Sequence, residues 1–174
     1  WSGPDPERIA SISPDGRYCS FTNAPTGDLA LRHLATGQER LLTRAEPRAR
    51  WEYAQSSVIS PDGRQVAYCW FNQDLFYDLR LIDLDGAGQR VLYRNTAVFY
   101  LKPVDWSRDG RHILALFSPK DRRNQIALVA VADGFARILK TLGWRFPLRM
   151  NLSPDGRYVV YDFPPREDSA DRDI

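Results

Sequence analysis

The residues whose type and spacing could do chemistry are four aspartates at a regular interval, since carboxylates can serve as general acids and bases. Each is the third residue of a five-residue segment, Ser-Pro-Asp-Gly-Arg, in which Arg108 replaces proline in the third copy. The copies begin at residues 13, 60, 107 and 153, so the period is 46 or 47 residues. Such a fixed period is typical of repeat proteins, and it places the aspartates on separate structural units.

The composition of this segment favours a structural role for the aspartates. Proline presets the backbone for a type I turn, aspartate suits the next position, and glycine permits a positive φ. Because apolar segments flank each copy, we predict that each is the tip of a β-hairpin, with the serine hydroxyl bonded to the turn. The predicted structural turn residues are Asp15, Gly16, Asp62, Gly63, Asp109, Gly110, Asp155 and Gly156.

The other residues capable of chemistry form no recognisable site. His33 and His112 fall on different strands of different repeats, so they lack the spacing of metal ligands. The chain has no Gly-x-Ser-x-Gly segment, which would mark a hydrolase nucleophile. Cys19 aligns with buried aliphatic positions, and a bridge between Cys19 and Cys69 is the less favoured alternative. We predict no catalytic residue, metal or cofactor, and interpret the acidic loop at residues 166–171 as solvated surface rather than a cation site.

The overall composition bounds the class of protein. Of the 174 residues 43% are hydrophobic and 12% aromatic, which favours a packed core over disorder. With 24 basic and 22 acidic residues the net charge is only +2, so charge indicates no nucleic-acid partner. No apolar run is long enough for membrane insertion as a helix. Because the chain begins at Trp1, we expect it to be a processed or excised part of a longer protein.

Short apolar segments separate the repeated turns. Each has apolar residues on both faces, which predicts strands buried between neighbouring sheets. The predicted strands are residues 9–12, 18–22, 29–34 and 39–43, then 57–59, 65–71, 78–84 and 89–93, then 103–106, 112–117, 125–131 and 136–141, and finally 149–152 and 158–163. Four antiparallel strands per repeat predict an all-β fold, a partial β-propeller forming one domain over residues 1–174. We expect blades at approximately residues 8–44, 57–94, 103–141 and 149–174, the last one incomplete.

The repeated turn, the apolar strand after it and the glycine-containing turn between the third and fourth strands resemble the WD-like repeats of TolB-type β-propellers. The resemblance implies a non-catalytic scaffold or sensor that binds protein or peptide, and it favours an extracytoplasmic location. Similar repeats occur in prolyl-oligopeptidase-type hydrolases, so the alternative is a propeller whose catalytic domain lies outside this chain. A carbohydrate-processing propeller enzyme is a third class, disfavoured by the two histidines. Since three and a half blades leave sheet edges open, we expect a longer chain or self-association.

A candidate binding surface comes from the connections between blades. Each connection carries aromatic and basic side chains to the rim opposite the repeated turns, and these residue types are enriched at binding hot spots. The predicted binding residues are Arg50, Trp51, Phe99, Tyr100, Trp144 and Arg145. The competing interpretation is that these aromatic side chains fill the gaps between blades.

Overall fold

The computed structural model describes residues 11–44, 51–167 and 171–174. Within these ranges the chain forms fourteen β-strands, and no helix there has the length and hydrophobicity needed to cross a membrane. The strands build three four-stranded antiparallel sheets and one two-stranded sheet, each in chain order. This arrangement confirms the predicted partial β-propeller, with one sheet for each repeat.

The blades are numbered along the chain, and the first strand of each is the innermost. Blade 1 contains β1 (Ser11–Ile12), β2 (Tyr18–Thr22), β3 (Leu29–His33) and β4 (Glu39–Leu41). Blade 2 contains β5 (Tyr53–Ile59), β6 (Gln65–Phe71), β7 (Tyr77–Asp83) and β8 (Arg90–Tyr93). Blade 3 contains β9 (Val98–Trp106), β10 (His112–Pro119), β11 (Asn124–Ala130) and β12 (Ala136–Gly143). Blade 4 contains β13 (Met150–Leu152) and β14 (Val159–Tyr161).

The four repeated segments form hairpin turns of the same type, with the same hydrogen bonds in each. In the first copy the Ser13 hydroxyl donates to Asp15 Oδ1 at 2.6 Å and accepts the Tyr18 N–H at 2.9 Å. Asp15 Oδ1 also accepts the Arg17 N–H at 3.0 Å, and Gly16 has a φ of 70°. The other copies repeat this pattern, including the third, where Arg108 replaces proline. Proline is therefore dispensable for the turn, whereas the Ser–Asp bond and the glycine recur in every copy.

The innermost strands of blades 2 and 3 begin earlier than the sequence pattern predicts. They begin at Tyr53 and Val98 rather than at residues 57 and 103, so Phe99 and Tyr100 lie within a strand and not in a connecting loop. The reason is a β-bulge in each blade, which lets pairing resume after an irregular step. In blade 3 the bulge adjoins Pro103, which has no N–H to donate to a regular ladder.

Hydrophobic cores lie between successive blades. Leu29 and Leu31 of blade 1 pack against Tyr68 and Trp70 of blade 2. A larger cluster joins blades 2 and 3, and a smaller one joins blades 3 and 4 around Leu116. The middle residues of β6 and β10 are buried on both faces, as the apolar pattern predicted. The sheets are thus stacked face to face around a common axis.

Polar contacts repeat from blade to blade along the turn side. Arg40 donates to the Leu84 and Asp85 carbonyls of the next blade, and Arg90 donates to the Val131 carbonyl of blade 3 at 2.6 Å. The corresponding arginine of blade 3, Arg137, makes no hydrogen bond with a described residue. The described part of blade 4 has no turn between a third and a fourth strand for it to reach.

Blade 4 is the open end of the described structure. After β14 a single bridge joins Phe163 to Asp173, where the sequence alignment places the opening of a third strand. Val160 is 52% exposed, although the corresponding residues of blades 2 and 3, Ala67 and Leu114, are fully buried. Self-association through this face stays a prediction that a solution mass measurement would test.

Candidate functional site: the aromatic rim

The rim opposite the repeated turns is lined by aromatic side chains from blades 2 and 3 and from the connection that follows blade 3. It is built from the residues at the starts of β5, β7 and β9, from the end of β6 and from the connection between β12 and β13. We define the aromatic rim as Trp51, Tyr53, Phe71, Tyr77, Phe99, Tyr100, Trp144, Arg145 and Phe146. Its members divide into rings that support one another and rings that face solvent.

Five of the rings form a continuous series. Tyr53 packs on Phe71 with ring centroids 5.3 Å apart, and Phe71 packs on Tyr77 at 5.0 Å. Tyr77 meets Tyr100 edge to face at 5.1 Å, and Tyr100 lies 5.9 Å from Phe146. The Tyr53 and Tyr77 hydroxyls are hydrogen bonded at 3.0 Å, and burial raises the pKa of Tyr77. This series crosses from blade 2 to the connection before blade 4, so it fixes the relative positions of the blades at this rim.

Three rings of the rim project into solvent. Trp51 is 76% exposed, Phe99 is 58% exposed and Trp144 is 39% exposed. Neither Trp51 nor Phe99 makes a ring contact with another described residue. Phe99 lies near the start of β9, Trp51 lies two residues before β5, and Trp144 lies on the connection between β12 and β13.

Arg145 lies between two rings. Its guanidinium carbon is 5.2 Å from the Trp144 ring centroid and 5.4 Å from that of Phe163. The Asn124 side-chain amide donates to the Arg145 carbonyl at 3.0 Å and holds the connection in place. Arg145 Nε is buried and has no hydrogen-bond partner among the described residues. The guanidinium of Arg145 is therefore held by its two ring contacts.

A buried carboxylate supports the rim from beneath. The Asp78 side chain is fully buried at the start of β7 and accepts hydrogen bonds from Arg94, Arg80 and Asn72. Both Arg94 contacts, to the two carboxylate oxygens, are 2.7 Å long. Burial by itself raises the pKa of Asp78, but the bonds from Arg94 and Arg80 outweigh it and hold the pKa below its ordinary value. Both arginines are thereby committed to the fold and are not free for a partner.

The structure brings together only part of the predicted site. Tyr100, Trp144 and Arg145 are linked through Phe146, whereas Trp51 and Phe99 stand apart from them. Arg50 lies outside the described residues. Sequence reasoning missed the contribution of Tyr53, Phe71 and Tyr77, and the signal for it was a cluster of aromatic residues in segments assigned to the same rim.

Two cavities follow the innermost strands. One, of about 490 Å³, lies at the turn end and is lined by Pro14, Pro61, Arg108 and Pro154 among others. The second, of about 210 Å³, lies further toward the aromatic rim and is lined by Lys102 and Arg149 among others. The two cavities share lining residues, so the inner strands line a channel whose rim end carries two basic residues.

Among the described residues we looked for metal-ligand groups and for the state of the two cysteines. No group of three or more His, Cys, Asp or Glu in residues 11–44, 51–167 and 171–174 is arranged to hold a metal ion. Cys19 and Cys69 are buried free thiols, and burial raises the pKa of both. A raised pKa keeps each sulfur protonated, so both cysteines serve as small core residues.

Solved structures with this arrangement identify the fold. The structure of TolB from Acinetobacter baumannii is similar over 99% of this chain, with a TM-score of 0.73 and 18% sequence identity. The fold is that of a TolB-type β-propeller. A putative TolB from Agrobacterium tumefaciens is similar over 94% of the chain, with a TM-score of 0.74 and 22% identity. A prolyl endopeptidase structure is similar over 84% of the chain, with a TM-score of 0.60 and 17% identity.

The matches cover only part of those proteins. This chain spans 41% and 56% of the two TolB chains and 24% of the prolyl endopeptidase chain. Neither protein-family models nor curated protein sequences gave a match. The TolB-type likeness is therefore one of fold.

Proposed function

We propose that this chain is a non-catalytic propeller module that binds a protein or peptide through its aromatic rim. The observation that carries the proposal is the exposure of Trp51, Phe99 and Trp144 beside a rigid series of packed rings. Exposed aromatic side chains on a fixed backbone gain binding energy with little loss of conformational freedom. An extracytoplasmic location stays a prediction from the TolB-type resemblance.

The difference between packed and exposed rings bears on the competing interpretation, in which the aromatic side chains fill the gaps between blades. Tyr77, Tyr100 and Phe146 do pack between blades, and these rings account for the cohesion of the rim. Trp51 and Phe99 make no ring contact with a described residue, so filling gaps does not account for their exposure.

The test uses peptides selected from a random library on the immobilised chain. The affinity of a selected peptide is then measured by calorimetry for the wild type and for the variant Trp51→Ala/Phe99→Ala/Trp144→Ala. We expect a loss of at least about tenfold in affinity, because aromatic hot spots carry such energies. The matched control is Phe135→Ala/Tyr158→Ala, which removes two exposed rings on the turn side and should leave the affinity unchanged.

Two outcomes would contradict the proposal. One is a selected peptide that binds the triple variant as tightly as the wild type, and the other is a library that yields no binder dependent on the rim. The thermal midpoint of the triple variant must stay close to that of the wild type. A shared loss of affinity and stability would assign these rings to the fold instead.

The second candidate is the propeller of a larger serine hydrolase, and the likeness to prolyl endopeptidase favours it. In that case the parent protein would carry a nucleophilic serine outside this chain. Labelling of the full-length protein by a fluorophosphonate probe would support this candidate. Absence of labelling in a folded full-length protein, with rim-dependent peptide binding, would support the first.

A further inference from the structure

Lys102 is a buried cation without a strong partner. It lies on β9 with 7% of its surface exposed, and its ammonium has one hydrogen bond among the described residues, to the Leu148 carbonyl at 3.5 Å. An ammonium group has three donors, so most of its capacity is unused. Burial lowers the pKa of Lys102, and the opposing effect of the Asp162 carboxylate does not offset it.

The propeller does not need a lysine at this position. Lys102 pairs with Leu116, and the residue aligned with Leu116 in blade 2 is Cys69. There the bulged β5 presents Gln55 and Ser56, and the Ser56 hydroxyl is hydrogen bonded to the Cys69 sulfur at 3.2 Å. Both residues are uncharged, so blade 2 forms without a lysine at this point. A buried lysine costs free energy, which is a reason to look for a ligand that compensates it.

The cavity next to Lys102 has the chemistry of an anion site. Besides Lys102 its lining includes Arg149, Ser11, Ser57 and Asn151, and no residue that lines it is an aspartate or a glutamate. The Arg149 guanidinium makes no hydrogen bond with a described residue. Two basic residues and several neutral polar residues therefore line a space of about 210 Å³.

The nearby carboxylates are already engaged. Asp105 accepts the N–H groups of Leu152 and Trp106, each at 2.8 Å. Asp162 accepts from Arg172 at 2.6 Å and from the backbone N–H groups of Leu148 and Arg149. Neither is a lining residue, so the two cations of the cavity keep their capacity for an external anion.

Residues that line the cavity adjoin residues of the aromatic rim in two segments of the chain, β9 and the connection before β13. Tyr100 and Lys102 are two residues apart on one strand, so their side chains share a face. Arg149 likewise follows Phe146, the ring that Tyr100 contacts, by three residues. A chain bound on the rim could therefore extend an acidic group into the cavity.

We infer that the rim-side cavity of the channel binds a carboxylate of the partner, held by Lys102 and Arg149. The carboxylate comes either from a chain terminus or from an aspartate or glutamate side chain. The inference rests on the proposed function for the source of this group. The binding of a carboxylate as such depends on the cavity alone.

The experiment uses the small number of lysines in the chain. Lys102, Lys120 and Lys140 are its three lysines, so labelling with ¹³Cε-lysine gives three side-chain NMR signals. The probe is sodium succinate, titrated at constant ionic strength. We expect a saturable shift of the Lys102 signal and an increase in its apparent pKa, because an anion stabilises the charged form. Lys120 and Lys140 should not respond.

Variants make the test specific. Arg149→Met should weaken succinate binding about tenfold, since it removes one of two charge-assisted contacts. The matched control is Arg137→Met, which removes an exposed arginine of β12 and should have no effect. A Lys102 signal that does not move, or that moves no more than the signal of Lys140, would overturn the inference. Saturable binding of inorganic phosphate without binding of succinate would also overturn it.

A comparison of peptides distinguishes a terminal carboxylate from an acidic side chain, and it distinguishes this inference from the proposed function. A rim-binding peptide is compared with its C-terminal amide and with its Asp→Asn and Glu→Gln versions, and the version that no longer shifts Lys102 identifies the carboxylate. If every version shifts the Lys102 signal equally, the cavity does not bind a carboxylate of the peptide. Succinate binding should survive in the triple rim variant, so failure of the rim proposal would leave the cavity result intact.

Discussion

The two rims of the propeller differ in whether their side chains have partners within the protein. On the turn side Asp15 and its three counterparts accept the serine hydroxyl and a backbone N–H of the same segment. Donation by the serine is the largest contribution, and it holds the pKa of each of the four carboxyl groups below its ordinary value. On the aromatic side Arg145 has a buried donor without a described partner, and three rings face solvent.

This difference indicates where binding and stability reside. A polar group that is satisfied within its own turn has little to offer a partner, because a ligand would have to replace bonds already formed. An exposed ring or a cation without a partner gains contacts on binding. We therefore expect substitutions on the turn side to change stability alone, and substitutions of exposed rim residues to change binding alone.

The largest effect is expected beneath the aromatic rim. Asp78→Asn should lower the free energy of unfolding by about 3 kcal/mol at pH 7, because it leaves Arg80 and Arg94 without their buried counter-charge. The difference from wild type is present above the ordinary pKa of 3.8 and shrinks as the pH falls through the lowered pKa of Asp78. Urea unfolding at several pH values measures it. Asp74→Asn, which changes an exposed acid of the loop before β7, should cost under about 0.5 kcal/mol. Equal losses in the two variants would contradict this account.

The second prediction compares two glycines of the turn side. Gly134 and Gly110 have φ values of 75° and 70°, but a Cβ on Gly134 would overlap the Leu92 carbonyl oxygen of blade 2. Gly110 has open space around it. Gly110→Ala should cost about 1 kcal/mol from backbone strain, and Gly134→Ala about 2 kcal/mol or more from strain and displacement of blade 2. Thermal melts measure both, and a similar midpoint for the two variants would show that the contact between blades 2 and 3 yields at this point.

A smaller effect, an increase in stability, is expected when Lys102 in the channel is replaced. Lys102→Met should raise the free energy of unfolding by about 1 kcal/mol at pH 7, because the buried charge is replaced by an apolar side chain of similar length. Burial lowers the pKa of Lys102, so the penalty is fully present below that pKa and is relieved as the pH rises toward 10.5. The gain of the variant should shrink over the same range. Loss of stability at pH 7 would mean that Lys102 is a structural residue.

The fold could be predicted from the sequence because its signals are local. The serine, aspartate and glycine of each turn determine the hairpin by contacts within five residues, and the third copy works without proline. The early start of β9 was not predictable from alternation, since it depends on a bulge beside Pro103 and on pairing with β10.

The candidate site was less predictable, because its contacts join distant segments. The rim position of the aromatic connections follows from the propeller topology, but the partners of Tyr100 come from β7 and from the connection after β12. The burial of Lys102 has the same origin, since its neighbour Leu148 belongs to the connection between blades 3 and 4. No pattern within one repeat distinguishes an exposed Trp51 from a supporting Tyr77.

The most direct test of the central claim is to locate the bound partner on the protein. Amide hydrogen exchange is measured with and without a selected peptide. We expect protection at residues 51–56, 98–102 and 144–149, and unchanged exchange in the turns at residues 13–17, 60–64 and 107–111. Protection confined to those turns, with no change along the aromatic rim, would contradict the account.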